Sequence, residues 1–315
     1  MGRRNKKGQN ISGWVNLDKP VGLTSTQGIG KVRRFMNAQK AGHAGTLDPL
    51  ATGILPIALG EATKTIPFAQ DRHKTYEFTV AWGEQRDTDD SEGEVIEASD
   101  VRPAPAAITA LLPEFTGDIQ QVPPKFSAIK IDGQRAYDMA RAGEDVQLTS
   151  RSVFVESLEL LDAREDEADF VMTCGKGTYV RSLARDMALK LGTYGYISAL
   201  RRTAVGPFTE ENAISLEKLE ELFNSAPAGA GAPDGVLLPL ETALDDIPAL
   251  AIKENELSDL RNGRTASFVS KPNFERIKLI GLEDNQTAIA MFQDKAVALV
   301  ERKGPNIKPV RVFNI

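Results

Sequence analysis

The stretch Gly42-His43-Ala44-Gly45-Thr46-Leu47-Asp48-Pro49-Leu50-Ala51-Thr52-Gly53 contains three glycines, a proline, a histidine and one carboxylate within twelve residues. Glycine adopts backbone conformations closed to other residues, and proline fixes φ and lacks an amide donor, so this composition predicts a shaped loop. Pro49 also disfavours helical backbone at Asp48, which places the carboxylate on a turn or an extended segment. Such a carboxylate either bonds its own backbone in a turn or serves an active site.

Length and composition predict a globular protein of about two domains. The chain has 315 residues, 41% of them hydrophobic, and no apolar run approaches the ~20 residues that a membrane-spanning helix needs. Residues 1–13 are polar and basic, without the apolar region of a secretory signal. The single cysteine, Cys174, excludes an intramolecular disulfide and favours a reducing compartment, so we expect a cytoplasmic protein.

Charge is distributed unevenly along the chain, although its total is only −6. Residues 1–40 contain nine lysines and arginines against the one carboxylate of Asp18, whereas residues 84–100 contain eight acidic side chains against Arg86. A basic surface is typical of proteins that bind phosphates, but basic tails are also often simply solvated. We interpret residues 84–100, with Gly93 among them, as an exposed hairpin tip.

Apolar patterning predicts strands after the Asp48 loop. Residues 54–59 form a continuous apolar run typical of a buried strand, and residues 75–82 alternate between polar and apolar side chains. Tyr76 lies on the apolar face of the second strand, where a core aromatic residue with a bonded hydroxyl is the ordinary interpretation. Residues 153–161 and 170–174 predict a further pair of strands.

The clearest helical pattern lies between Thr178, a candidate N-cap, and Gly192, a candidate C-terminal stop. Apolar side chains recur between them at the i, i+3, i+4 spacing of a helix with one buried face. Arg181 falls in the first turn at the border of that face, where the helix dipole disfavours a cation. It therefore needs a carboxylate or phosphate partner, in either a structural ion pair or a functional site.

The rest of the chain predicts a turn, a linker and a small β domain. Residues 200–208 resemble a helix end that passes into a turn, and residues 225–235, rich in alanine, glycine and proline, predict a linker or exposed loop. From about residue 251 short apolar segments alternate with turn signals, which predicts a small, mostly β domain.

Short patterns exclude several kinds of catalysis. One cysteine and two histidines are too few for an ordinary protein zinc site, and the sequence has no P-loop, no G-x-S-x-G motif and no complete dinucleotide fingerprint. A single loop carboxylate remains, which an arginine can keep ionised for work as a nucleophile or base. Arg181 is the best-placed candidate for that arginine. Glycoside hydrolysis by paired carboxylates is conceivable, but no second carboxylate has a setting comparable with that of Asp48.

Seven motifs follow one another in order along residues 13–223. They are Lys19-Pro20-x-Gly22-x-Thr24-Ser25, His43-Ala44-Gly45-Thr46-Leu47-Asp48-Pro49-Leu50-Ala51-Thr52-Gly53-x-Leu55-Pro56, Gly60-x-Ala62-Thr63-Lys64, Lys74-x-Tyr76, Pro123-Pro124-x-x-Ser127-Ala128, Gly177-Thr178-Tyr179-Val180-Arg181-Ser182-Leu183-Ala184-x-Asp186 and Leu200-Arg201-Arg202-Thr203-x-x-Gly206-x-Phe208. Together they resemble the signature of the TruB family of bacterial tRNA pseudouridine synthases. The core motifs are shared with the guide-RNA relatives of archaea and eukaryotes, so the standalone bacterial interpretation depends on overall length and C-terminal layout.

The resemblance implies an α+β protein with the pseudouridine-synthase fold, in which helices flank a mixed, largely antiparallel central sheet, plus a small C-terminal PUA-like β domain. The expected organisation is a basic flexible tail at 1–12, a catalytic domain at 13–240 and a PUA-like RNA-binding domain at 251–315. An insertion at about 124–150 is expected to close over RNA. The resemblance also implies a cytoplasmic enzyme that uses no cofactor or metal, does not bind a membrane and needs no obligatory protein partner.

The implied activity is isomerisation of the T-loop uridine at position 55 of tRNA, with the T-arm stem-loop as the partner. The N1–C1′ bond breaks, the base turns, and C5 bonds to C1′. Because the target atom is inaccessible in a folded T-loop, the base must be flipped out, and aromatic stacking returns about 1–3 kcal/mol per base. The alternative is a non-catalytic tRNA-binding or RNA-folding protein, and a glycosidase-like hydrolase that releases uracil is a third hypothesis.

The resemblance also implies roles for single residues. Asp48 matches the family's essential aspartate, which attacks the sugar, attacks the base or removes the 2′ proton, and Arg181 matches the arginine that pairs with it. Tyr76 matches the aromatic residue that stacks on the flipped base and is a candidate for removing the C5 proton.

Further positions match substrate-binding residues of the family. Tyr179 and Leu200 match pocket residues, and His43 matches the side chain that fills the space left by the flipped nucleotide. Lys19 and Lys64 also match family positions, with either a binding or a structural role. The N-terminal cations and the pair Arg201-Arg202 are candidates for phosphate contacts.

Overall fold

The computed structural model describes residues 8–127, 130–131, 134–135, 139, 148–225 and 232–314. Over these residues the chain forms a ten-stranded sheet, a five-stranded sheet and two small two-stranded sheets. Most of the predicted insertion at 124–150, much of the basic tail and part of the predicted linker lie outside the described residues.

The strands in the described part of the chain are β1 (Gly13–Lys19), β2 (Ala41–His43), β3 (Thr52–Leu59), β4 (Lys74–Trp82), β5 (Glu84–Arg86), β6 (Val95–Ala98), β7 (Gly117–Gln121), β8 (Lys130–Ile131), β9 (Gln134–Arg135), β10 (Arg151–Ala163), β11 (Glu167–Cys174), β12 (Gly195–Val205), β13 (Phe208–Thr209), β14 (Ile214–Ser215), β15 (Ala249–Ala251), β16 (Ala266–Ser267), β17 (Thr287–Phe292), β18 (Lys295–Lys303) and β19 (Asn306–Val312). The α-helices of the same residues are α1 (Ser25–Phe35), α2 (Ile66–Asp71), α3 (Pro105–Leu111), α4 (Val180–Lys190), α5 (Leu216–Ser225), α6 (Glu254–Arg261) and α7 (Lys271–Leu279).

The large sheet has the order β14-β1-β3-β12-β4-β11-β10-β7, with β2 beside β3 and β13 beside β12. The pairs β1/β14 and β3/β12 are parallel, and the other pairs are antiparallel. This confirms the predicted mixed, largely antiparallel sheet. The alternation at 75–82 correctly predicted β4, and the pair of strands predicted within 153–174 forms β10 and β11.

The prediction for residues 200–208 is wrong. Residues 195–205 form β12, a central strand that pairs antiparallel with β4 and parallel with β3, and a turn to β13 follows. Two adjacent arginines concealed this strand, because charged side chains are rarely placed inside a sheet. Arg202 lies opposite Tyr76 in the neighbouring strand, and only 1% of it is exposed.

Helix α4 packs its apolar face against the large sheet, as the periodic pattern predicted. Leu183 and Met187 are fully buried, and burial of each such side chain contributes about 1.5–3 kcal/mol. The N-cap is Tyr179 and not Thr178, so the helix begins one residue later than predicted. Gly192, with φ +74°, follows the last turn, as its predicted role as a stop requires. Arg181 therefore lies in the first turn.

The C-terminal sheet has the order β15-β17-β18-β19-β16 and is packed with α6 and α7, two helices that the sequence pattern did not predict. The prediction of a small C-terminal β domain is confirmed. Its sheet contacts the large one through a shared apolar cluster that includes Trp14, Phe208 and Phe313. No helix in the described ranges is both long enough and apolar enough to cross a membrane.

Candidate active site

The loop that presents Asp48 is tied to its surroundings on both sides. The Leu47 amide donates to Ser25 Oγ at 2.8 Å, and that hydroxyl donates back to the Leu47 carbonyl at 2.9 Å. At Gly53, φ is +97° and a Cβ atom would lie 2.2 Å from the Arg202 carbonyl oxygen, so only glycine fits where β3 meets β12. The predicted shaped loop is therefore a rigid support for the carboxylate.

Lys19 supports the same loop from inside the protein. Its fully buried ammonium donates to the carbonyls of Pro20 at 2.9 Å, Leu23 at 2.7 Å and Pro49 at 3.4 Å. Burial lowers the pKa of Lys19 to about 8. In this structure Lys19 fixes the backbone next to Asp48 and does not reach the protein surface.

Arg181 joins two carboxylates that lie far apart in the sequence. Its Nη2 atom is 2.9 Å from Asp48 Oδ2, and its Nη1 atom is 3.3 Å from Asp90 Oδ2. The same two nitrogens donate to the carbonyls of Phe126 at 2.9 Å and Thr88 at 2.8 Å. The guanidinium is buried, and with partners on both sides it is fixed in one orientation. The contact between Asp48 and Arg181, which the sequence alone could not establish, is present.

The acidic segment 84–100 is not simply an exposed hairpin tip. Strands β5 and β6 do form a hairpin, but Asp89 and Asp90 are buried against α4. Arg185 Nη1 lies 2.9 Å from Asp89 Oδ2, while Arg181 binds Asp90. Burial raises the pKa of Asp89 to about 6, although Arg185 acts in the opposite direction. Sequence reasoning missed both aspartates because their partners lie more than ninety residues later.

A cavity of about 280 Å³ opens beside Asp48. Tyr76, Tyr179, Leu200 and Arg181 line it, so four of the predicted residues lie together with Asp48. Burial raises the pKa of the Tyr76 hydroxyl, so this group is neutral at ordinary pH.

Two lysines of the cavity wall received no role in the sequence analysis. Lys74 is buried, its ammonium donates to the carbonyls of Gln70 and Arg72, and burial lowers its pKa to about 8. Lys176 is exposed and pairs with Asp71 at 2.8 Å. Among the residues described, three or more His, Cys, Asp or Glu side chains nowhere form a group that could hold a metal ion.

The other predicted binding residues have different surroundings. His43 lies at the end of β2, two residues before the cavity-lining Gly45, and burial lowers the pKa of its imidazole. Lys64 lies where the large sheet meets the C-terminal sheet. It pairs with Glu61 at 2.6 Å and donates to the Val312 carbonyl at 2.7 Å.

The prediction that Arg202 holds phosphate is wrong. Its buried guanidinium donates to the carbonyls of Ile54 at 2.7 Å and Gly45 at 3.1 Å, so it binds the Asp48 loop to β12. Arg201 is partly exposed, but it is paired with Asp18 at 3.0 Å.

Comparison with known proteins identifies the family of the chain. The model of the TruB family pseudouridylate synthase (N terminal domain) matches residues 33–180, and that of the tRNA pseudouridylate synthase B C-terminal domain matches residues 181–245. The chain is 52% identical over 314 residues to tRNA pseudouridine synthase B of Bradyrhizobium diazoefficiens, which covers 99% of this chain and 88% of that protein. It is 50% identical over 313 residues to tRNA pseudouridine synthase B of Caulobacter sp. strain K31, which covers 99% of each.

A solved structure supports the fold independently. A chain in the crystal structure of a Cbf5-Nop10-Gar1 complex superposes with a TM-score of 0.71 at 26% identity, over 96% of this chain and 84% of that one. The mixed sheet and the cavity with its paired aspartate and arginine, taken with these matches, define a pseudouridine synthase. Within that class, the chain belongs to the TruB family.

Proposed function

We propose that this chain converts the T-loop uridine at position 55 of tRNA to pseudouridine. The observation that carries the proposal is the Asp48 carboxylate beside the cavity, 38% exposed and 2.9 Å from a buried arginine. The names of the relatives, tRNA pseudouridine synthase B, support tRNA as the substrate. The T-arm stem-loop is the part of tRNA that contains this uridine.

The reaction is an isomerisation in which no atom is gained or lost overall. The N1–C1′ bond breaks, the base turns, and C5 forms the new bond to C1′; C5 then loses a proton and N1 gains one. Asp48 is the group that starts the exchange, because among the carboxylates of the described residues it is the one that lines the cavity. Arg181 stabilises its negative charge and fixes its direction.

The cavity wall suits a flipped base. The Tyr76 ring supplies a stacking surface, and Tyr179 and Leu200 enclose the same space. The guanidinium of Arg151 lies 5.1 Å from the centre of the Tyr179 ring and holds that side of the wall in place. Under this proposal His43 occupies the space that the flipped nucleotide leaves in the RNA.

The test is purified protein mixed with an unmodified T-arm stem-loop without added metal, with the product detected by chemistry specific for pseudouridine. We expect product at the T-loop uridine and none when that uridine is replaced by cytidine. Tight binding without product would instead favour an RNA-folding role, and release of free uracil would indicate a hydrolase. A stem-loop that is neither bound nor converted would contradict the proposal.

A further inference from the structure

Ser127 is a polar residue of the cavity wall that takes no part in the reaction proposed above. Ser127 lines the cavity and is only 4% exposed. Within the described residues its hydroxyl oxygen is buried and has no hydrogen-bond partner. A buried hydroxyl without a partner lowers the stability of a protein, so such a group at an active site calls for a functional explanation.

The position of Ser127 indicates which part of a nucleotide it faces. The preceding residue, Phe126, accepts a hydrogen bond through its carbonyl from Arg181 Nη2, the nitrogen that also binds Asp48. Ser127 therefore belongs to the wall that holds the reactive carboxylate. The sugar of a bound nucleotide must approach this wall, because the exchanged bonds are at C1′ and Asp48 starts the exchange.

We propose that the Ser127 hydroxyl binds the ribose 2′-hydroxyl of the flipped nucleotide. The inference rests on the proposed function, since it requires a nucleotide in the cavity with C1′ near Asp48. The 2′-hydroxyl is on the carbon next to C1′. Serine and the 2′-hydroxyl are each both donor and acceptor, so each satisfies the other. Ser127 is thus a residue that selects RNA over DNA at the target nucleotide.

The test is a set of binding measurements with two T-arm stem-loops, which carry either uridine or 2′-deoxyuridine at the target position. Both proteins, with Ser127 or with Ser127→Ala, also contain Asp48→Asn, so that the RNA is not converted during the measurement. For Ser127 we expect about three- to tenfold weaker binding of the deoxyuridine RNA, the value of one hydrogen bond. For Ser127→Ala we expect the same loss on the uridine RNA and no further loss on the deoxyuridine RNA.

Two controls separate this role from a structural one. Ser127→Ala removes a buried oxygen that lacks a partner, so its melting temperature should equal or exceed that of the protein with Ser127. Ser198→Ala removes a hydroxyl that donates to Glu167 at 3.2 Å, away from this cavity, and should leave the binding of both RNAs unchanged.

The remaining outcomes overturn the inference. Unchanged binding of the uridine RNA by Ser127→Ala, or an equal loss on both RNAs, would show that the hydroxyl does not bind the 2′ position. A lowered melting temperature would assign Ser127 a structural role. Failure of the proposed function is recognised separately, because the unaltered protein would then form no pseudouridine in the T-arm stem-loop.

Discussion

Asp48 and Asp90 bind the same guanidinium but differ in exposure. The side chain of Asp48 is 38% exposed, whereas that of Asp90 is 3% exposed and also accepts hydrogen bonds from the Thr88 hydroxyl and the Glu92 amide. The buried carboxylate keeps the arginine in place, and the exposed one faces the cavity. A single charge on Arg181 thus holds both a buried and an exposed carboxylate.

Asp48→Asn separates chemistry from binding. The amide preserves the shape of the side chain but removes the charge, so we expect the single-turnover rate of pseudouridine formation to fall by about a thousandfold or more. The dissociation constant for the T-arm stem-loop should change little, as filter binding would measure. A comparable loss of RNA affinity would contradict a purely catalytic role for Asp48.

Arg181→Met leaves Asp90 buried without its charged partner. We expect a loss of about 3–5 kcal/mol in the free energy of unfolding, measured with urea, because an uncompensated buried charge is costly. The double variant Arg181→Met/Asp90→Asn removes that charge and should regain part of the loss.

Pseudouridine formation should be lost in both Arg181→Met and Arg181→Met/Asp90→Asn, because Asp48 has no arginine partner in either variant. Equal stability of Arg181→Met and the unaltered protein would show that the Asp90 contact contributes nothing measurable.

At the scale of the element, α4 supplies two arginines to one acidic segment. Arg181 and Arg185 are four residues apart and therefore lie on the same side of the helix. They bind the consecutive residues Asp90 and Asp89. The helix thereby fixes the segment between β5 and β6 against the large sheet, next to the cavity.

Asp89 should make the stability of this region depend on pH. Its pKa is about 6 in the folded protein and near 3.8 when exposed, so the folded state binds its proton more tightly. Its contribution to stability is therefore full below pH 3.8 and is lost as the pH rises through 6. Relative to Asp89→Asn, the unaltered protein should gain up to about 1.4 kcal/mol per pH unit as the pH falls from 6 to 4.

Urea unfolding of both proteins at pH 7 and pH 5 measures this difference. The asparagine variant is the matched control, because it has the same shape and does not titrate. If the stability difference is the same at both values, Asp89 does not have a raised pKa in the folded protein.

Elements with a continuous local pattern could be predicted from the sequence, and elements that depend on distant partners could not. The apolar stripe of α4 and the alternation of β4 are visible within a dozen residues, so both predictions were correct. Strand β12 could not be predicted because the buried Arg202 donates to the carbonyls of Ile54 in β3 and Gly45 in the Asp48 loop, which lie far from it in the sequence. The burial of Asp89 and Asp90 could not be predicted for the same reason, because their arginine partners are distant in the sequence.

Motif resemblance, and not local patterning, indicated the candidate site. It associated Asp48, Tyr76, Tyr179, Arg181 and Leu200 with one pocket, and the structure places all five around one cavity. Lys19 and Lys64 show the limit of this approach, because a matching position does not reveal whether a lysine faces RNA or backbone carbonyls.

At the scale of the whole molecule, polar contacts join the turn that follows β3 to the end of the C-terminal sheet. Lys64 donates to the Val312 carbonyl, and Glu61 accepts from the Asn314 amide. Arg72 adds a nearby ion pair with Asp245 and Asp246 in the segment between the sheets. The C-terminal unit is thus fixed to the large sheet by an apolar cluster with a polar border.

Lys64→Met tests whether this lysine is structural. Loss of the bond to Val312 should lower the free energy of unfolding by about 1 kcal/mol and leave the salt dependence of RNA binding unchanged. A phosphate contact predicts the opposite: unchanged stability, and a slope of log K against log salt that is smaller by about 0.7–0.9. Lys308→Met, which alters an exposed lysine of β19, is the matched control.

Strand β12 lies between β3 and β4 in space but follows both of them in the chain. During synthesis from the N-terminus, the part of the sheet with the Asp48 loop and the part with Tyr76 emerge from the ribosome long before the strand that joins them. Until then each part has an open edge to which other chains can add. A ribosome that stalls before residue 205 therefore leaves an incomplete sheet and no enclosed cavity. Modification of RNA can begin only after this part of the message has been translated.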